Sequence, residues 1–156
     1  MAADSNYNYW DSCIFIDGLK QTSGRFPQIK HLESEAKAGR LFIFSSTMAI
    51  AEVVKLKDYG PLTEEQIREI SSYFRHKFIR IIPVDRLIAR SAAEIVREHN
   101  LKPPDAIHVA TALRSRCAVL YTYDQLLLDK NGTIGNPGIP IKRPGEFGQG
   151  GFFASS

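Results

Sequence analysis

The sequence predicts an α/β fold: a three-layer α/β/α sandwich, with helices covering both faces of a central, mostly parallel sheet of roughly four to five strands. Three observations lead there. Short apolar runs rich in aromatic and β-branched residues recur along the chain, each separated from the next by a longer stretch with helical spacing. Helix-starting and helix-stopping residues bracket those stretches. A chain of 156 residues is also enough for one compact domain with a real core, assigned here to residues 1–143, with 144–156 as a flexible tail rich in Gly and Ser.

The elements follow in order. Strand-like runs are YNYW (7–10), LFIFS (41–45), FIRIIPV (78–84), AVLYT (118–122) and the weaker IPIK (139–142). Such runs, entered and left by polar residues, suit strands buried on both faces. A helix-like SCIFIDGLK follows the first run. Residues 26–38 place Phe26, Ile29, Leu32 and Ala36 on one face, and Gly39 provides a stop. A helix over 47–58 begins at Ser-Ser-Thr. Thr63 and Gln66 form a capping box ahead of Ile67, Ile70 and Phe74. Asp85 caps 86–99, where Leu87, Ile88, Ala92, Ile95 and Val96 form a stripe. Residues 104–115 make the last helix, with Pro104 at its first position.

Composition narrows the class. Hydrophobic residues make up 44% of the chain and charged residues 24%, as in soluble globular proteins. No apolar run approaches the roughly 20 residues of a membrane helix. The start, MAADSNYNYW, lacks the basic and apolar segments of a secretory signal, so a cytoplasmic protein is expected. Cys13 and Cys117 make no disulfide framework or zinc spacing and read as small buried hydrophobes. The net charge of +3 is compatible with a polyanionic partner without requiring one.

The acidic residues carry the chemistry. Asp11 follows the first strand and Asp124 follows AVLYT. Asp105 lies in the opening turn of the helix in LKPPDAIHVATAL, and Glu52 sits within MAIAEVV. Strand carboxyl ends and the following helix amino ends share one sheet edge, where ligands bind. Each acid alone has an ordinary explanation. Asp105 complements the helix dipole, Asp124 forms a turn, and Glu52 pairs with Lys55 on a helix surface. Asp11 is harder to explain so, because it interrupts the apolar YWDSCIFI. Together the four would repel one another unless a cation lay between them, and a hard divalent ion with oxygen ligands meets that need.

The segments YWDSCIFID, SSTMAIAEVVK, LKPPDAIHVATAL and LYTYDQLLL, in that order, resemble the motif blocks of PIN-domain nucleases, above all the small VapC-type toxins of prokaryotic toxin–antitoxin pairs. The likeness spans roughly residues 7 to 143, and its specific part is P-x-D-A-x-H-x-A-T-A followed by T-x-D. It implies a PIN-like fold in which Asp11, Glu52, Asp105 and Asp124 form a catalytic, metal-holding site. Ser12 and Thr122 would be supporting hydroxyls. Cys13, where the family often has Asn or Ser, would weaken a supporting hydrogen bond.

The same resemblance implies endonucleolytic RNA cleavage with Mg²⁺ or Mn²⁺, leaving 5′-phosphate and 3′-hydroxyl ends. Ions held by the acids would lower the pKa of a bound water and offset charge on the scissile phosphate. Asp11 and Asp124 are expected in the most direct metal contact, Asp105 as a further ligand, and Glu52 as a ligand or as the orienter of a water. The substrate would be tRNA, rRNA or mRNA, gripped by Lys20, Arg25, Lys55 and Lys57. His108 reads first as a packed core residue and second as a general base. A cognate antitoxin would cover the acidic pocket with a basic side chain, and a homodimer is expected. Two rivals stand beside this: a phosphoacceptor domain, which would want adjacent acids near the first strand, and a non-catalytic, cation-binding module of the same fold.

Overall fold

A computed structural model describes residues 2–54 and 61–146 of the chain. The elements run β1 (Asp4–Trp10), α1 (Ser12–Lys20), α2 (Phe26–Lys37), β2 (Phe42–Ser46), α3 (Thr47–Glu52), α4 (Glu64–Tyr73), β3 (Ile79–Ile82), α5 (Arg86–His99), α6 (Pro103–Arg114), β4 (Cys117–Tyr121), α7 (Gln125–Leu128) and β5 (Ile141–Lys142). The five strands form one sheet in the order β3-β2-β1-β4-β5, and every neighbouring pair is parallel.

Alternation along the central strands divides the interior into two cores, because successive side chains of a strand point to opposite faces. Tyr9, Phe44 and Leu120 face a core completed by Ile88 and Ile95 of α5 and by Ala106 and Val109 of α6. Their neighbours Trp10, Ile43, Val119 and Tyr121 face the other core, with Ile14 and Ile16 of α1, Ile29 and Leu32 of α2, and Ile70 of α4. Two apolar layers on opposite sides of one sheet give the expected three-layer sandwich. Among the described residues no helix is long and apolar enough to cross a membrane.

The local signals act as their chemistry dictates. Thr63 Oγ1 accepts the Gln66 N–H while Gln66 returns a bond to the Thr63 N–H, closing the capping box. Asp85 accepts the Ile88 N–H at 2.9 Å. After α2, Gly39 takes φ +79°, and the bonds from Gly39 N to Ala36 O and from Arg40 N to Glu35 O form the Schellman pattern.

Several boundaries differ from the sequence expectation. β1 begins at Asp4, because its polar start pairs with Cys117 of β4 and Asp4 N–H bonds the Arg116 carbonyl. α3 ends at Glu52 rather than at residue 58; of the expected remainder, 55–58 lies outside the described residues. α6 starts at Pro103, one residue early, so both prolines fill its first turn, where no N–H is needed. Leu87 is exposed at 49%, since it lies about a quarter turn off the inward stripe of α5, and Ile67, in the first turns of α4, is exposed at 37%. Of the expected tail, 144–146 form a turn in which Pro144 is buried and Arg143 pairs with Glu146; 147–156 lie outside the described residues.

Candidate active site

Strand order reverses beside β1. The chain moves from β1 to β2 and β3 on one side, then returns to lay β4 on the other. Such a switch opens a crevice at the carboxyl ends of the strands. Trp10 and Tyr121 are register partners, so the residues that follow them meet in that crevice. Thr122 Oγ1 donates to Asp11 Oδ2 at 2.5 Å.

Asp11 occupies the N-cap position of α1, with extended backbone, yet its side chain caps no helix N–H. An Asp there ordinarily accepts from the second or third helical residue. Here the carboxylate is engaged elsewhere: Oδ1 accepts the Cys13 thiol proton at 2.8 Å and Oδ2 the Thr122 hydroxyl. The residue is buried. Burial pushes its pKa up; His108 and the Cys13 and Thr122 hydrogen bonds oppose that rise, and Glu52 adds to it.

Thr122 serves two acids, because its Oγ1 also accepts the Asp124 N–H at 3.0 Å. Asp124 in turn caps α7 through Leu126 N–H at 3.0 Å, so its turn-forming role is real. Asp105 lies in the first turn of α6. Its pKa rises to about 6, first through burial, then through the charges of Asp124 and Asp11, with Glu52 adding and His108 opposing. Glu52, at the end of α3, accepts from His108 Nε2 at 2.5 Å. The chain thus brings Asp11, Glu52, Asp105 and Asp124 into one electrostatic field, although 113 positions separate the first from the last.

By chemistry these donors fit a hard divalent cation: they are carboxylate oxygens whose charges oppose one another, and the side chain bonded to Glu52 is a histidine. Among the described residues, however, no three or more His, Cys, Asp or Glu side chains gather into a closed ligand set. The donor types and the shared field suit an ion; closing a shell around it requires side-chain rotation.

The other residues singled out from the sequence divide. Ser12 is buried, but the α1 residue that bonds Asp11 is Cys13. The thiol therefore supplies the supporting hydrogen bond it was expected to weaken. Lys20 closes α1. Arg25 reaches the crevice rim, its guanidinium 4.1 Å from the centre of the Tyr123 ring, between Thr122 and Asp124 in sequence. Much of its charge is spoken for by Asp17, which is fully buried and accepts from Arg25 at 2.8 Å and from Thr22. Lys55 and Lys57 lie outside the described residues. Sequence reasoning missed Tyr9, whose hydroxyl lies 2.6 Å from His108 Nδ1. Only its place two residues before Asp11 at the strand end could have hinted at it.

A pH dependence follows. Because Asp105's folded pKa of about 6 exceeds the ordinary 3.8, its contribution to stability is fully present below about 3.8 and is lost as pH rises through about 6. Asp11 acts in the same direction. The metal-free protein should melt at a higher temperature at pH 5 than at pH 7.5, and Asp105→Asn should flatten that slope. Calorimetric melting across the range reads both; a slope of opposite sign, or one unchanged by the substitution, would contradict the assignment.

Comparisons with known proteins bear on the family and the fold. The family profile of the PIN domain matches residues 9–131. A comparison with curated proteins gave no match. Among solved structures, VapC20 of Mycobacterium tuberculosis, described as a sarcin–ricin-loop-cleaving toxin, superposes with a TM-score of 0.63 at 14% identity, over 75% of this chain and 89% of that one. A toxin–antitoxin complex from Klebsiella pneumoniae gives 0.57 at 27% identity, over 85% of this chain and 94% of that one. VapBC2 of Rickettsia felis, bound to a fragment of its promoter DNA, gives 0.62 at 16% identity, over 88% and 98%.

Proposed function

The chain belongs to the PIN-domain family, and from that premise we propose that it is a metal-dependent endoribonuclease, the toxin of a type II toxin–antitoxin pair. The observation that carries the reading is the shared field of the crevice. A buried Asp11 and an Asp105 lifted to about 6 by burial and then by its acidic neighbours are poor structural choices and good ones for receiving a cation.

Asp11, Asp124 and Asp105 would hold Mg²⁺ or Mn²⁺, with Glu52 as a further ligand or as the orienter of a water. The ion, when bound, supplies charge neutralisation at the scissile phosphate. The protein's own groups do the rest. Thr122 and Cys13 fix both oxygens of Asp11, and Thr122 also sets the backbone at Asp124. Arg25 and Tyr123 stand at the rim as a cationic, aromatic edge for RNA, with Lys20, Lys55 and Lys57 as further contacts. The products are a 5′-phosphate and a 3′-hydroxyl, and the protein acts in the cytoplasm.

The relation to the Klebsiella toxin–antitoxin complex supports a protein partner. An antitoxin would insert a basic side chain among the carboxylates, and the toxin would pair as a homodimer. The deciding experiment is to induce the protein in cells and sequence RNA 5′ ends against an Asp11→Asn control. New 5′-phosphate ends at a defined site are expected with the parent alone. Identical end profiles would refute the nuclease reading. Growth without defect alongside new ends would remove the toxin role and leave the nuclease.

A further inference from the structure

Behind the acidic crevice lies a set of buried polar groups that the proposed chemistry does not use. Tyr9 on the central strand and His108, one turn beyond Asp105, are 0% and 1% exposed. Tyr9 Oη stands 2.6 Å from His108 Nδ1, and His108 Nε2 stands 2.5 Å from Glu52 Oε1. The bonds tie together β1, α6 and α3. At the other end of α3 the buried Ser46 caps the helix, its Oγ accepting the Met48 N–H at 3.1 Å.

Donor and acceptor capacity gives the line a direction. A carboxylate oxygen only accepts, so His108 Nε2 carries a proton and donates to Glu52. In a neutral imidazole the other ring nitrogen is then an acceptor, and the Tyr9 hydroxyl donates to Nδ1.

We infer that Tyr9 and His108 are positioning residues, a buried relay that fixes Oε1 of Glu52 and leaves its other oxygen for the cation or its water. Glu52 needs such a hold. It ends a helix of six residues, too short to be rigid alone, and its side chain is 27% exposed while the His108 ring behind it is 2% exposed. Its second oxygen has no hydrogen-bond partner among the described residues, and its charge acts on both Asp11 and Asp105. Partners of this kind behind an ion site typically contribute about 10- to 100-fold in metal affinity or activity. The inference rests on the metal-dependent nuclease reading for its consequence, whereas the relay itself can be tested without it.

The test uses the full chain. Ring ¹⁵N shifts of His108 in the metal-free parent should show the Nε2–H tautomer. Tyr9→Phe should weaken Mn²⁺ binding by about tenfold and lower kcat to a similar degree, with KM for RNA within about twofold. His108→Gln, which can still donate an amide N–H toward Glu52, should retain more Mn²⁺ affinity than His108→Leu. An Nδ1–H tautomer in the parent would overturn the relay, as would a folded Tyr9→Phe with parental Mn²⁺ affinity and kcat. A His108→Gln no better than His108→Leu would do the same. If the parent cleaves no RNA, the nuclease reading fails, and the ¹⁵N and Mn²⁺ measurements still judge the relay. If the variants do not fold, the parent's tautomer decides.

Discussion

Asp11→Asn should reduce metal-dependent RNA cleavage by on the order of a thousandfold while leaving the protein folded. The amide keeps the shape of the carboxylate but removes the negative charge at the centre of the crevice. Its oxygen can still accept the Cys13 thiol proton, and its NH₂ can donate to Thr122, whose hydroxyl now accepts. Burial and Glu52 already raise the Asp11 pKa, so taking the charge away relieves repulsion. The melting temperature of the metal-free variant at pH 7.5 should therefore equal or exceed the parent's. Single-turnover cleavage of a tRNA and rRNA panel with Mn²⁺, run beside thermal melts, separates the two effects. Parental cleavage by a pure preparation of the variant would count decisively against the site.

The second large effect falls on stability. Thr122→Val keeps the volume and the β-branch but deletes the hydroxyl that donates to Asp11 and accepts from the Asp124 N–H. One hydrogen bond to a buried carboxylate is lost and one backbone donor is orphaned, together about 3 kcal/mol. For a chain of this size that is a fall in melting temperature of roughly 6–12 °C. Thr122→Ser, which restores the hydroxyl, should recover most of it. Urea unfolding measures the difference directly. A loss within about 0.5 kcal/mol would mean that the hydroxyl does not hold the two aspartates together.

These two residues also show how far the sequence could be read. Asp11 stood out because a carboxylate flanked by YW and CIFI has no comfortable solvent-facing role, and burial bears that out. Thr63, Asp85 and Gly39 announced helix ends because capping depends on local chemistry, which sequence records well. What stayed hidden depends on partners far along the chain. The polar Asp4–Asn6 start of β1 is a strand only because β4 lies beside it. His108 read as core, and it is core; its bond to Glu52, 56 positions away, needs the fold before it can be seen. Cys13 looked like a loss because the residue type was weighed without its neighbour, yet its thiol donates to Asp11 Oδ1. Leu87 misled because an apolar residue at helical spacing can still lie about a quarter turn off the buried face.

For the proposed chemistry, carboxylates from the N-cap of α1, from α6 and from the β4–α7 turn must serve a single ion. Calorimetric titration of Mn²⁺ into the metal-free parent and into Asp11→Asn, Asp105→Asn and Asp124→Asn tests that most directly. Saturable binding in the parent, weakened at least about tenfold by each substitution, is the expected result. Binding that survives all three, or a parent that takes up no ion while remaining folded, would contradict it.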